Sequence, residues 1–211
     1  MSNLFESLIA RPLAEKMRPT RLELLVGQEH LLAPDAPLGR MLRERRASSM
    51  ILWGPPGSGK TTLAKIIAEH VNMNFEPLSA VFSGVADLRR VFDKAIERKK
   101  VGEETLLFVD EIHRFNRAQQ DSLLPFVEDG TVVLIGATTE NPSFELNSAL
   151  LSRCKVFILQ KIAKTGLENL VKRAEELEGK ELPLKQEARD ALLSMADGDG
   201  RFLLNMIEEL F

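Results

Sequence analysis

The chain has 211 residues, enough for one or two domains, and its 44% hydrophobic and 28% charged content is that of a globular protein. A net charge of −3 and a pI of about 5.8 argue against a uniformly basic surface that coats nucleic acid, and no apolar run approaches the ~20 residues that cross a bilayer. Cys154 is the only cysteine, which excludes an intrachain disulfide; with no basic-then-apolar leader, this predicts a cytoplasmic protein without a membrane partner.

Residues 1–20 read as a loosely structured lead-in ending at Arg18-Pro19. Leu22–Val26 followed by Gly27 reads as a compact turn, and Leu38–Arg46 as a short helix. Met50–Trp53 is an apolar run that reads as a buried strand, with Trp53 in the core. A helix follows over Thr62–His70. Phe75–Leu78 reads as a strand. Val85–Lys100 reads as an amphipathic helix with Val85, Leu88, Val91 or Phe92, Ala95 and Ile96 near one face. Thr105–Val109 is a β-rich run, and Ala118–Glu128 a helix in which Pro125 threatens a kink. Val132–Thr138 and Lys155–Leu159 read as two more strands. From Gly166 only helical patterns remain: Leu167–Leu177, Lys185–Ala196 and Arg201–Leu210, separated by Gly179/Pro183 and by Gly198-Asp199-Gly200.

Alternating strands and helices predict an α/β core over 1–164, with a parallel five-stranded sheet covered by helices. A small all-helical lid over 165–211 is expected to follow. The last helix stops at Phe211 with no polar tail, the pattern expected of a piece of a longer protein.

The most specific signal is Gly54-Pro55-Pro56-Gly57-Ser58-Gly59-Lys60-Thr61, which fits the phosphate-binding pattern G-x-x-x-x-G-K-[ST] between a strand and a helix. Glycines let backbone N–H groups close on phosphates, and the helix N-terminus adds positive dipole. The expected ligands are ATP and Mg²⁺. Lys60 reaches the β and γ phosphates, Thr61 holds the metal, and Thr62 continues the binding segment.

Leu106–Val109 then Asp110-Glu111 is an apolar strand ending in two carboxylates, expected beside the P-loop strand. Asp110 there serves Mg²⁺, and Glu111 accepts a proton from the attacking water or orients it. Val132–Thr138 delivers Thr139 and Asn141 to the edge where open α/β sheets bind ligands. Either could hold the water or touch the γ-phosphate, whereas an Asn-Pro turn is the plainer role of Asn141. His113 and Arg114 follow the acids directly. A relay from DNA is conceivable, and a polar residue at a turn is the simpler reading of His113. Two basic clusters, Arg40/Arg43/Arg45/Arg46 and Arg89/Arg90/Lys94/Arg98/Lys99/Lys100, are either local patches for nucleic acid or solvated helix faces.

These motifs, in this order, resemble those of AAA+ ATPases over nearly the whole chain. The resemblance places Thr139 at the sensor-1 position. Ser152-Arg153-Cys154 is similar to the box of sliding-clamp loader subunits, which implies that Arg153 is an arginine finger for a neighbouring subunit. Gly198-Asp199-Gly200-Arg201 resembles the sensor-2 motif, implying that Arg201 contacts phosphate within its own subunit. Phe202-Leu203-Leu204-Asn205 stands where a second arginine and an alanine are often seen. Met17-Arg18-Pro19 with Leu25-Val26-Gly27-Gln28 resembles the segment that packs on adenine.

Glu111–Asn116, Gln119–Asp121, Phe126–Gly130 and above all Thr139-Glu140-Asn141-Pro142-Ser143-Phe144-Glu145-Leu146-Asn147 resemble the RarA/MgsA family. This is the replication-associated recombination protein A group, related to the Werner-helicase-interacting ATPase. That likeness implies a DNA-dependent ATPase at stalled or gapped forks, in the nucleoid, with single-stranded-DNA-binding protein as partner. Family members continue into a C-terminal oligomerisation region; the likeness implies a homo-oligomer for the full-length protein and a monomer for this chain. A clamp-loader or branch-migration motor subunit is the near alternative. A nucleotide-gated scaffold with little turnover is the alternative from another class.

Overall fold

The computed structural model describes residues 11–211. In chain order it contains α1 (Leu13–Lys16), α2 (Glu29–Leu32), α3 (Pro37–Arg43), β1 (Met50–Trp53), α4 (Lys60–His70), β2 (Asn74–Ser79) and α5 (Val85–Lys100). There follow β3 (Thr105–Asp110), α6 (Arg117–Glu128), β4 (Val133–Thr138), α7 (Pro142–Glu145), α8 (Ser148–Leu151), β5 (Lys155–Ile158), α9 (Lys164–Glu178), α10 (Gln186–Ala196) and α11 (Gly200–Leu210). Short 3₁₀ turns occupy Leu22–Leu24 and Ile112–Arg114.

The five strands form one sheet in the order β2-β3-β4-β1-β5, with every pairing parallel. Met50 pairs with Ile135 on one side and Lys155 on the other. This order corrects one expectation: the strand carrying Asp110 does not lie beside the P-loop strand. β4 is interposed, pairing β1 from Met50↔Ile135 to Trp53↔Thr138 and β3 from Leu106↔Val133 to Val109↔Gly136. The acids therefore approach the P-loop across the C-terminal end of β4.

Alternation along the strands sends neighbouring residues to opposite faces. Met50, Leu52, Leu106, Phe108, Ile135 and Ala137 pack with Leu63, Ala64 and Ile67 of α4. Ile51, Leu107, Val109 and Leu134 pack with Leu88, Val91, Phe92 and Ala95 of α5 and Leu123 of α6. Burial on both faces explains why these strands read as continuous apolar runs. Trp53, at the open end of β1, is only half-buried rather than core.

A third core joins α9, α10 and α11 through Leu167, Leu170, Val171, Leu192, Leu193, Leu203, Leu204 and Ile207. Leu13 and Met17 belong to it, 2% and 6% exposed. Within the described part of the lead-in, α1 is thus ordered by packing against the lid helices, and the Leu13 amide donates to Glu208 Oε1 at 3.0 Å. The lead-in expectation for residues 1–10 lies outside the described residues.

Smaller differences have local causes. α3 ends at Arg43, because Arg45 takes a left-handed φ of 50°. On α5, Val85 and Ile96 are exposed, and the buried stripe is Leu88, Val91, Phe92 and Ala95. Pro125 has no N–H to give the Asp121 carbonyl one turn back, yet α6 continues past it to Glu128.

Candidate nucleotide site at the sheet edge

The P-loop runs from the end of β1 into α4. Gly57 and Gly59 have φ values of +64° and +98°, a region in which a side chain is strained, so the loop can curl back over the α4 N-terminus. Ser58 Oγ donates to the Pro55 carbonyl at 2.8 Å. Lys60, 8% exposed, donates from Nζ to the carbonyls of Gly54 and Pro55 at 2.8 and 2.9 Å. Burial pushes its ammonium below the ordinary lysine range, with attraction from Glu111 and Asp110 opposing that shift.

Beside this loop is a cavity of about 380 Å³. Pro56 through Thr62 line one side, Asp110 and Glu111 another, and Arg201 reaches it from the lid. Gly54 and Pro55 contribute through their carbonyls to Lys60 rather than as cavity wall. The apolar end is made by Leu25, Val26, Pro19, Ile162, Leu170 and Leu204, with Arg18 and Asn205 at its margin. Arg18 is held by Glu15, with Nε to Oε2 at 2.9 Å, and that contact lowers the Glu15 carboxyl below the usual range. A polar end of glycine amides, one lysine and two carboxylates, joined to an apolar slot, suits a nucleoside triphosphate. Thr61 with Asp110 is a sparse oxygen set, which fits a cation that keeps waters and phosphate oxygens as its other ligands.

Glu111 is the backbone exception. Its φ and ψ are 52° and 46°, a left-handed conformation costing about 1–2 kcal/mol for a residue with a side chain. Such strain concentrates at functional positions. Here it turns the chain from β3 into the 3₁₀ turn at Ile112 and places both acids on the cavity wall.

The lid touches the P-loop directly. The Gly200 amide donates to the Gly57 carbonyl at 3.3 Å, and Asp199 caps α11 by accepting from the Phe202 amide at 2.8 Å. Arg201 on the first turn of α11 is thereby brought to the same cavity as Lys60.

Other expected site residues lie elsewhere. Gln28 is fully buried, and its amide is used by the fold: Nε2 donates to Ser58 and Gln160 carbonyls at 3.2 and 2.9 Å, and Oε1 accepts from the Gln160 amide at 3.1 Å. It supports the P-loop from behind and is not on the cavity wall. Gly27 packs against Ile162 and is not part of the cavity wall. Asn141 Oδ1 accepts from the Ser143 amide at 3.0 Å and so caps α7, the plainer of its two readings. Thr139 is half-buried just past β4, at the correct sheet edge but outside the cavity wall.

Arg153 is far more open. It pairs with Glu128 and donates to the Ala149 carbonyl at 2.6 Å, away from the cavity of its own chain. The second basic cluster is largely paired: Arg98 and Lys94 with Glu76, Arg90 with Asp87, and Lys100 with Glu97. Sequence reading missed Glu15, Ile162, Leu170, Leu204 and Asn205 as cavity residues. The i, i+3 and i+4 spacing of Arg201, Leu204 and Asn205 on one helix was the available signal for the last two.

A P-loop and an acid-bearing strand separated by one parallel strand, with a helical lid hydrogen-bonded to the loop, define a P-loop ATPase domain. The chain belongs to the family described as "ATPase family associated with various cellular activities (AAA)", whose model matches residues 50–162. It is 48% identical to the replication-associated recombination protein A of Escherichia coli K12, across 99% of this chain and 48% of that protein. It is 51% identical to the ATPase WRNIP1 of Dictyostelium discoideum, across 93% of this chain and 23% of the other. Among solved structures, the RuvB Holliday junction branch migration motor of Thermotoga maritima superposes with a TM-score of 0.74 at 29% identity, covering 91% of this chain and 64% of that one. The chain thus spans about half the length of the recombination protein it matches.

Proposed function

We propose that this chain is the ATP-hydrolysing module of a DNA-dependent enzyme of replication-associated recombination. The observation that carries the reading is the convergence of Lys60, Thr61, Asp110, Glu111 and Arg201 on one cavity. In this scheme the backbone amides of Gly57–Lys60 hold the phosphates. Lys60 exchanges its two loop carbonyls for phosphate oxygens, and the desolvation that depresses its charge strengthens that attraction. Thr61 and Asp110 would hold Mg²⁺, which when bound neutralises developing phosphate charge. Glu111 orients the attacking water and takes its proton. Thr139 contacts that water or the γ-phosphate.

Arg201 ties the lid to the phosphates of its own chain, and Arg153 serves a neighbouring copy. The exposed position of Arg153, outside its own cavity, supports the trans role. Arg18, Pro19 and Val26 take the base, together with Leu204 and Asn205. The names of the curated relatives support action in replication-associated recombination. On this reading the protein works on DNA in the cytoplasm, with single-stranded-DNA-binding protein as a partner. The likeness to a branch migration motor favours one second reading, a motor subunit acting on branched DNA.

The test is hydrolysis rate per chain against chain concentration, with and without gapped DNA. Inter-subunit sites make the rate per chain rise with concentration, and Arg153→Ala abolishes that rise while leaving nucleotide affinity unchanged. A rate per chain independent of concentration and of Arg153 defeats the trans assignment. Glu111→Gln hydrolysing as fast as wild type defeats the base assignment.

A further inference from the structure

His113 was the least specific of the polar residues around the acids, yet its placement is tightly determined. Its side chain is 7% exposed. Nδ1 lies 2.9 Å from Thr138 Oγ1 at the end of β4 and 3.3 Å from Glu111 Oε2. Glu111 Oε2 is itself buried and has no aligned hydrogen bond among the described residues. The 3.3 Å approach is therefore a close polar contact whose donor needs only a small rotation to complete it.

The surrounding bonds decide where the imidazole proton sits. Thr138 Oγ1 accepts from the Glu140 amide at 3.0 Å and reaches the Glu140 carbonyl at 3.3 Å. The threonine hydroxyl has one proton, and the Glu140 carbonyl can take it. A bare Nδ1 lone pair facing a carboxylate oxygen at 3.3 Å would be repelled by it. Both neighbours are satisfied when Nδ1 carries the proton and shares it between Thr138 and Glu111.

We propose that His113 is a positioning residue for Glu111: its Nδ1–H, anchored on Thr138, fixes Oε2 and leaves Oε1 to meet the attacking water. This rests on Glu111 being the base. It also links that base to the residue just before Thr139, so that movement at the end of β4 is transmitted to Glu111 through one buried ring. The left-handed backbone at Glu111 makes such a support useful, because the strained turn does not by itself select a side-chain orientation.

Two measurements on the chain test the inference. In ¹⁵N spectra of the imidazole, the proton is expected on Nδ1, with a resonance that moves in Glu111→Gln. A proton on Nε2 alone, or an Nδ1 resonance indifferent to Glu111→Gln, overturns it. In kinetics, His113→Ala lowers kcat about tenfold or more with nucleotide affinity within about twofold of wild type, and His113→Asn, which keeps an N–H donor, recovers part of the loss. Equal losses in both variants accompanied by weaker binding and a lower melting temperature mark a merely structural histidine and overturn the proposal. Glu111→Gln separates the two levels of failure. If it hydrolyses normally, the base assignment falls; if it is silent while His113→Ala is unimpaired, only the role of His113 falls. Where turnover by the chain alone is too slow to rate, the spectra decide.

Discussion

Gly57 of the P-loop lies directly under Asp199 of the lid: a methyl group placed on Gly57 would sit 1.8 Å from Asp199 Oδ1. The same glycine has a φ of +64° and accepts the Gly200 amide at its carbonyl. Gly57→Ala therefore combines backbone strain of about 1–2 kcal/mol with expulsion of the lid helix from the loop. The expected outcome is nucleotide affinity reduced about tenfold or more in a titration with a fluorescent analogue. Asp199→Ala removes an exposed cap and the steric partner together, so the double variant should recover part of the affinity lost by Gly57→Ala alone.

Lys60 has opposite effects on binding and on folding. Its ammonium is buried against two carbonyls, and burial depresses its proton affinity. Lys60→Met should abolish detectable nucleotide binding while leaving the melting temperature of the unliganded chain unchanged or higher, as calorimetry can show. The pH dependence has a definite sign. With its folded value lowered, the unfolded chain binds more protons in the window just below 10.5, so this residue's contribution to stability rises with pH there. The stability of wild type relative to Lys60→Met should therefore increase as pH approaches 10.5 from neutrality.

The strands around the P-loop were legible because both faces of the sheet are buried, which leaves runs such as Met50–Trp53 and Thr105–Val109 nearly free of polar residues. Strand order was not, because alternation of strands and helices says nothing about which strand is inserted between two others. Lys60, Thr61, Asp110 and Glu111 carry a spacing imposed by local turns, and they meet in one cavity as that spacing implies. Gln28 belongs to the opposite case. A buried amide serving the backbone and an amide reading a base look identical along a chain; only the position of Ser58 and Gln160 tells them apart. His113 likewise gained meaning from Thr138, a residue 25 positions away in sequence.

Gln28 is accordingly expected to matter for stability. Replacing it by Ala leaves the Ser58 and Gln160 carbonyls and the Gln160 amide without their partner. The Ser58 bond is buried and the two Gln160 bonds are part-buried, so with about 1–3 kcal/mol for a stranded buried group, a loss in that range is expected for Gln28→Ala. Urea denaturation measures it as a lowered midpoint with an unchanged slope. A variant as stable as wild type, but with nucleotide affinity lost, would return Gln28 to the base-contacting role.

Cys154 follows Arg153 and is partly buried against the core that α5 and α6 share with the sheet. Burial pushes its thiol up to about 12, and among the described residues no cation opposes the shift. The thiolate is the reactive form, so at pH 8 only about one thiol in ten thousand is competent, against about one in four for an ordinary thiol near 8.5. Alkylation of the native chain by iodoacetamide should therefore run about a thousandfold slower than in denaturant, in which the same residue is free. The reaction also reports on the neighbouring arginine. If engagement of Arg153 by a second copy breaks its pair with Glu128 and loosens the turn at Ser152, nucleotide and high chain concentration together should accelerate labelling. Mass spectrometry of the Cys154 peptide reads that acceleration directly, and Arg153→Ala should remove its dependence on concentration.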